Sequence, residues 1–105
     1  MEQKDRYHVT VSTLASQMLV YHADFLAQVS PRAAERLTQA FEKTANSLEV
    51  MPERCPYLSD ENTLGDTYRY ILFERRYMIV FRIVDDTVYA DYVIDCRQDY
   101  SWLLQ

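Results

Sequence analysis

From Tyr7 to Ser12 apolar and polar side chains alternate, with β-branched residues in the middle. A period of two predicts a short strand. The period then lengthens. Leu14, Met18, Tyr21, Phe25 and Val29 recur at helical spacing, with Ser12 or Thr13 available as N-cap. Ser30-Pro31 starts a second helix, because serine caps and proline in the first turn forfeits no hydrogen bond. Its stripe is Ala34, Leu37, Phe41, Ala45 and Leu48, with Glu35, Arg36, Gln39, Glu42 and Lys43 facing water. Both stripes read as core contacts, since consecutive amphipathic helices normally cover a sheet or each other.

Between Met51 and Thr67 the periodicity stops, and Pro52, Pro56 and Gly65 mark a loop returning from the helices to a sheet. Three runs rich in Tyr, Ile, Val and Phe follow: 68–73, 77–84 and 87–95. Glu74-Arg75-Arg76 and Asp85-Asp86 separate them as tight connections. The order β-α-α-β-β-β predicts one α+β domain over residues 1–105, with two N-terminal helices packed on one face of a small, mainly antiparallel four-stranded sheet. Residues 100–104 are expected to form a closing helical turn.

Alternation sorts the sheet into two faces. Tyr68, Tyr70, Leu72, Tyr77, Ile79, Phe81, Ile83, Val88, Ala90, Tyr92 and Ile94 are expected beneath the helices. Arg69, Ile71, Phe73, Met78, Val80, Arg82, Tyr89, Asp91, Val93 and Asp95 make the other face, for which no element remains as cover. An open face carrying Ile71, Phe73, Met78, Val80 and Val93 is more apolar than monomers tolerate, so it reads as a partner surface rimmed by Arg69, Arg82 and Arg97.

Composition narrows the function classes. Sixteen acidic residues against eleven basic give a net charge of -5, which argues against a surface that grips nucleic acid throughout. Yet residues 68–82 are net positive, with Arg69, Arg75, Arg76 and Arg82 against Glu74. No apolar run is long enough to span a membrane, and the charged start has no signal-peptide core, so a soluble cytoplasmic protein is expected. Cys55 and Cys96 lie far apart and read as reduced thiols, and with His8 and His22 they make no convincing metal set. No metal and no cofactor are expected.

The chain resembles the RelE/ParE superfamily of bacterial type II toxin–antitoxin toxins, of the plasmid-stabilisation type. The resemblance runs from Tyr7 to Leu104. It rests on the element order, on Tyr68-Arg69-Tyr70-Ile71-Leu72, on Arg76-Tyr77-Met78-Ile79-Val80-Phe81, and on Cys96-Arg97-Gln98-Asp99-Tyr100. It implies a cognate antitoxin that wraps the toxin and covers Ile71, Phe73, Met78, Val80, Arg82 and Val93.

Ribonuclease members cut mRNA on the ribosome, which requires an activated 2′-OH and cations at the phosphate. On that resemblance Arg69, Arg97 and Tyr100 are the catalytic candidates, with ribosome and mRNA as partners. Ile71 and Met78 stand where such members carry further basic residues, and Asp99 where some place a histidine. Losing one preorganised contact typically costs about 100-fold in rate. Two alternatives stay open: a toxin that poisons DNA gyrase, as other members do, or a partner-binding module without toxicity. The competing role for Arg69 and Arg97 is a salt bridge to Asp91 or Asp95.

Overall fold

The computed structural model describes residues 6–58 and 67–98. The elements are β1 (His8–Val11), α1 (Thr13–Ala27), α2 (Pro31–Ser47), a 3₁₀ turn (Pro52–Arg54), β2 (Arg69–Phe73), β3 (Tyr77–Val84) and β4 (Thr87–Asp95). The expected α+β order holds. The sheet runs β1-β4-β3-β2, with β1 parallel to β4 and the other pairs antiparallel.

Both helices start where the sequence caps them. Ser12 Oγ accepts from the Ala15 N–H at 2.9 Å, and Ser30 Oγ accepts from the Ala33 N–H at 3.1 Å, with Pro31 at the first helical position. The α2 stripe behaves as expected: Leu37, Phe41 and Ala45 are buried and Leu48 closes the helix inside the core.

The α1 stripe does not. Leu14, Tyr21, Phe25 and Val29 are exposed, Tyr21 by 66% and Phe25 by 59%. Ala15 and His22 are buried instead, flanked by Met18, Leu19, Ala23 and Leu26. The reason lies in the sheet. β1 pairs only with Thr87–Ala90, so beyond residue 90 β4 has β3 on one side and no strand on the β1 edge. There α1 takes the strand's place: Ser12 Oγ donates to the Asp91 carbonyl at 3.1 Å, and His22 Nε2–H donates to the Val93 carbonyl at 2.9 Å. The inward stripe of α1 is thus set by polar edge-capping, which hydrophobic periodicity does not report.

Face assignment also changes. Phe73 pairs with Tyr77 across the three-residue connection, which puts Arg69, Ile71 and Phe73 on one face with Tyr77, Ile79 and Phe81. That face packs against the helices, and Phe73 meets Phe41 edge-on at 5.9 Å between ring centroids. In β4 the register steps from Val80–Tyr92 to Phe81–Ala90, leaving Asp91 as an extra, bulged residue. The bulge reverses the alternation, so Val88, Ala90 and then Val93 and Asp95 face the helices.

Ile71, Phe73 and Val93, expected on the open face, therefore lie in or against the helix-covered core. Tyr68, Tyr70, Leu72, Tyr92 and Ile94, expected beneath the helices, share the opposite face with Met78, Val80 and Arg82. The loop after α2 contributes structure of its own. Tyr70 N–H donates to the Pro56 carbonyl and Leu58 N–H to the Tyr68 carbonyl, covering part of the outer edge of β2.

Candidate functional site

Each basic residue singled out by the sequence has a defined place. Arg69 extends from the edge strand toward the 52–57 segment, where its guanidinium donates to the Glu53 and Cys55 carbonyls at 3.1 and 2.6 Å and to Tyr57 Oη at 2.9 Å. It also lies 4.0 Å over the Tyr57 ring. Its partners are carbonyls and a tyrosine rather than the aspartates of the sheet. Arg69 fastens the loop to the sheet.

Arg97 forms the salt bridge that competes with its catalytic role, and forms it with Asp95. Its Nε donates to Asp95 Oδ1 at 3.0 Å, its Nη2 to Oδ2 at 2.8 Å, and its backbone N–H to Oδ1 at 3.0 Å. The fork satisfies both carboxylate oxygens. Hydrogen bonding from Arg97 holds the Asp95 carboxyl below its ordinary pKa despite its burial. Tyr100 lies outside the described residues, as does Asp99.

Arg82 completes a polar cluster on the face away from the helices. Its Nε donates to Asp91 Oδ2 at 2.8 Å, Tyr68 Oη donates to the same oxygen at 3.3 Å, and the guanidinium lies 4.5 Å over the Tyr89 ring. The bulge at Asp91 is what brings its carboxylate to Arg82. Burial, then the neighbouring Tyr92 and Asp91, pushes the Tyr68 hydroxyl up to about 12. Tyr68 and Tyr92 meet edge-on at 5.9 Å. Met78 and Val80 sit beneath this tyrosine layer and Leu58, Val80 with 0% exposed. The surface a partner meets on this side is therefore tyrosines, Leu72, Arg82 and Asp91, rather than Met78 and Val80 themselves.

Of the catalytic candidates, the two among the described residues, Arg69 and Arg97, are not brought together. Arg69 stands opposite Phe81 and Asp95 opposite Tyr77, four residues along β3. That is about 13 Å along the strands and about 10 Å across two strand spacings. Neither thiol is poised as a nucleophile, because burial pushes both Cys55 and Cys96 up. His22 spends one ring nitrogen on the Val93 carbonyl within the core.

Sequence reasoning passed over a different feature. At the end of the molecule where α1 turns into α2, a cavity of about 360 Å³ opens against the β2–β3 connection. Leu26, Arg36, Leu37, Arg75, Arg76 and Tyr77 line it. The run Glu74-Arg75-Arg76 was visible only as a turn within a positive stretch; its apposition to Arg36 requires the fold.

A two-helix hairpin packed on a four-stranded mixed sheet defines a toxin of the RelE/ParE class, one in which Arg69 and Arg97 are both tied to partners within the fold. Residues 9–100 match the family model described as the ParE toxin of the type II toxin–antitoxin system parDE, and the chain belongs to that family. It is similar in structure to a chain of the chromosomal ParDE toxin–antitoxin system of P. aeruginosa, with a TM-score of 0.67 and 13% identity, over 86% of this chain and 96% of that one. No curated protein matches the sequence. As a type II toxin it has a cognate antitoxin for partner. No helix among the described residues is long and apolar enough to cross a membrane.

Proposed function

We propose that this ParE-family toxin arrests growth by binding and poisoning DNA gyrase rather than by cutting mRNA on the ribosome. One observation carries the reading: Arg69 and Arg97 are separated along and across the sheet, and each is committed to groups of its own fold. Phosphate cleavage asks for preorganised cations converging on one oxyanion, about 3 Å from each donor. A cation already neutralised by a bidentate carboxylate contributes little there. Poisoning a second enzyme needs only complementary surface, and the family description favours that branch.

Two assays test this on the purified chain. Gyrase with supercoiled plasmid is expected to accumulate cleaved DNA when the toxin is added, and addition of the antitoxin is expected to reverse it. Ribosomes programmed with a defined mRNA are expected to yield no new 5′ ends. Codon-positioned mRNA cuts that disappear in Arg97→Ala, with gyrase unaffected, overturn the proposal.

A further inference from the structure

The cavity at the hairpin end combines three features of an acidic-peptide site. Arg36, Arg75 and Arg76 set three guanidiniums against one carboxylate, Glu74, which Arg36 meets only loosely at 3.9 Å. Arg75 and Arg76 have no side-chain hydrogen bond or ion pair among the described residues. The first turn of α2 borders the same space through Ala33, and that turn holds no acidic residue to offset its positive end. The walls between the charges are apolar: Leu26, Leu37 and Tyr77.

The backbone is bent toward this arrangement. Glu74 and Arg75 both take left-handed conformations, φ 48° and 69°, where glycine or asparagine normally stands. Such strain persists where its surroundings or its function hold it.

An apolar track leads into the cavity. Leu14, Tyr21, Phe25 and Val29 run along the outer side of α1 and expose on the order of 500 Å², as much as the largest patch of an ordinary monomer. α1 carries a single charged residue, Asp24, so nothing on this face repels an apolar partner. Leu26 joins the track to the cavity. A smaller pocket of mixed lining, Tyr21, Phe25 and Tyr77 with His22, Asp95 and Gln98, continues it toward the sheet end.

We propose that this track and cavity receive one amphipathic segment of the cognate antitoxin, apolar side chains along α1 and acidic side chains in the cavity among Arg36, Arg75 and Arg76. The inference rests on the chain being a toxin with an antitoxin, not on which cellular target the free toxin has. A nucleic-acid phosphate would use the arginines but leave Leu26, Leu37, Tyr77 and the α1 track without a counterpart, so a peptide fits better. The occupied site lies on the helix side, away from the tyrosine-covered sheet face.

The test uses the full chain and its antitoxin, co-purified, separated under denaturant and refolded. Calorimetric titration compares wild type with Arg75→Glu/Arg76→Glu, Arg75→Gly and, on the sheet face, Arg82→Glu. The double reversal is expected to weaken antitoxin binding by roughly 100-fold, steeply dependent on salt in the wild type. Arg75→Gly relieves the left-handed strain, so it should melt no lower than wild type and still bind about 10-fold more weakly.

Charge-swapped antitoxin, with its acidic residues changed to arginine, is expected to recover affinity for the double variant. Affinities within about 3-fold of wild type for the double variant overturn the proposal. So does a loss seen only with Arg82→Glu, or one that appears in gyrase–DNA binding instead. If wild type arrests growth and binds antitoxin while the reversals change nothing, the cavity alone is wrong. If wild type does neither, the toxin reading fails with it.

Discussion

Replacing Asp95 with asparagine separates a structural Arg97 from a catalytic one. The Asp95 side chain is 7% exposed and holds Arg97 through two side-chain contacts and one backbone contact. Asparagine keeps the shape and one acceptor but turns an amide N–H₂ toward Arg97 Nη2, losing one charge-assisted bond and placing donor against donor. A fully buried pair broken in this way costs about 3–5 kcal/mol, but here the Arg97 side is half open to water. Screening reduces the figure to about 1–2 kcal/mol. For a domain of this size that is a fall of roughly 5–15 °C in melting temperature.

The pH dependence has a definite sign. Arg97 lowers the folded-state pKa of Asp95, so the stabilisation is complete above the unfolded value, near 4, and is lost as pH falls through the folded value. Urea unfolding of wild type and Asp95→Asn should differ at pH 7 and converge on acidification below about pH 4. A pair that differs by less than about 0.3 kcal/mol at pH 7, or by the same amount at pH 3, refutes the clamp. Arg97 would then be available for chemistry, and the gyrase proposal would lose its support.

Two further outcomes follow from the corrected sheet faces. Phe73→Ala removes a ring packed on Phe41 and Tyr77 and should cost about 3–5 kcal/mol in chemical denaturation, whereas Leu72→Ala, one residue earlier and exposed, should cost less than about 1 kcal/mol. The reverse ranking would restore the opposite face assignment. Tyr68 titrates near 12 in the folded chain against about 10 unfolded, so stability should be intact below pH 10 and fall between pH 10 and 12. Tyr68→Phe should flatten that fall in pH-resolved thermal melts, and an unchanged slope would place the buried phenol elsewhere.

How far the sequence carried depended on whether one interaction dominated each element. α2 was legible because its apolar residues occupy one stripe and its polar residues the rest, so only one orientation buries the stripe. α1 is apolar on nearly every side, and its orientation was decided by Ser12 and His22 reaching the carbonyls of β4. β2 is likewise apolar on both faces, Tyr70 and Leu72 against Ile71 and Phe73, so the connection 74–76 set its phase. Asp91 shows the limit of alternation most directly: one bulged residue reverses every position after it. For Arg97 the sequence offered Asp91 or Asp95, and the turn after β4 selects Asp95. The partners of Arg69 were not readable, because carbonyls of a distant loop leave no mark in the side-chain pattern.

The same accounting of partners bears on where the proposed antitoxin site lies. No buried side-chain nitrogen or oxygen among the described residues lacks a hydrogen bond. Arg54, Arg69, Arg82 and Arg97 all spend their guanidiniums within the fold: on carbonyls of the 47–51 and 53–55 segments, on Asp91 and on Asp95. Arg75 and Arg76, in contrast, project from a strained turn into a cavity where the protein supplies a single carboxylate. In a chain of net charge -5, this local concentration of positive charge is complementary to the acidic segment proposed to bind there. An antitoxin that binds there would neutralise the toxin without entering any catalytic site, which is the form of inhibition a binding toxin allows.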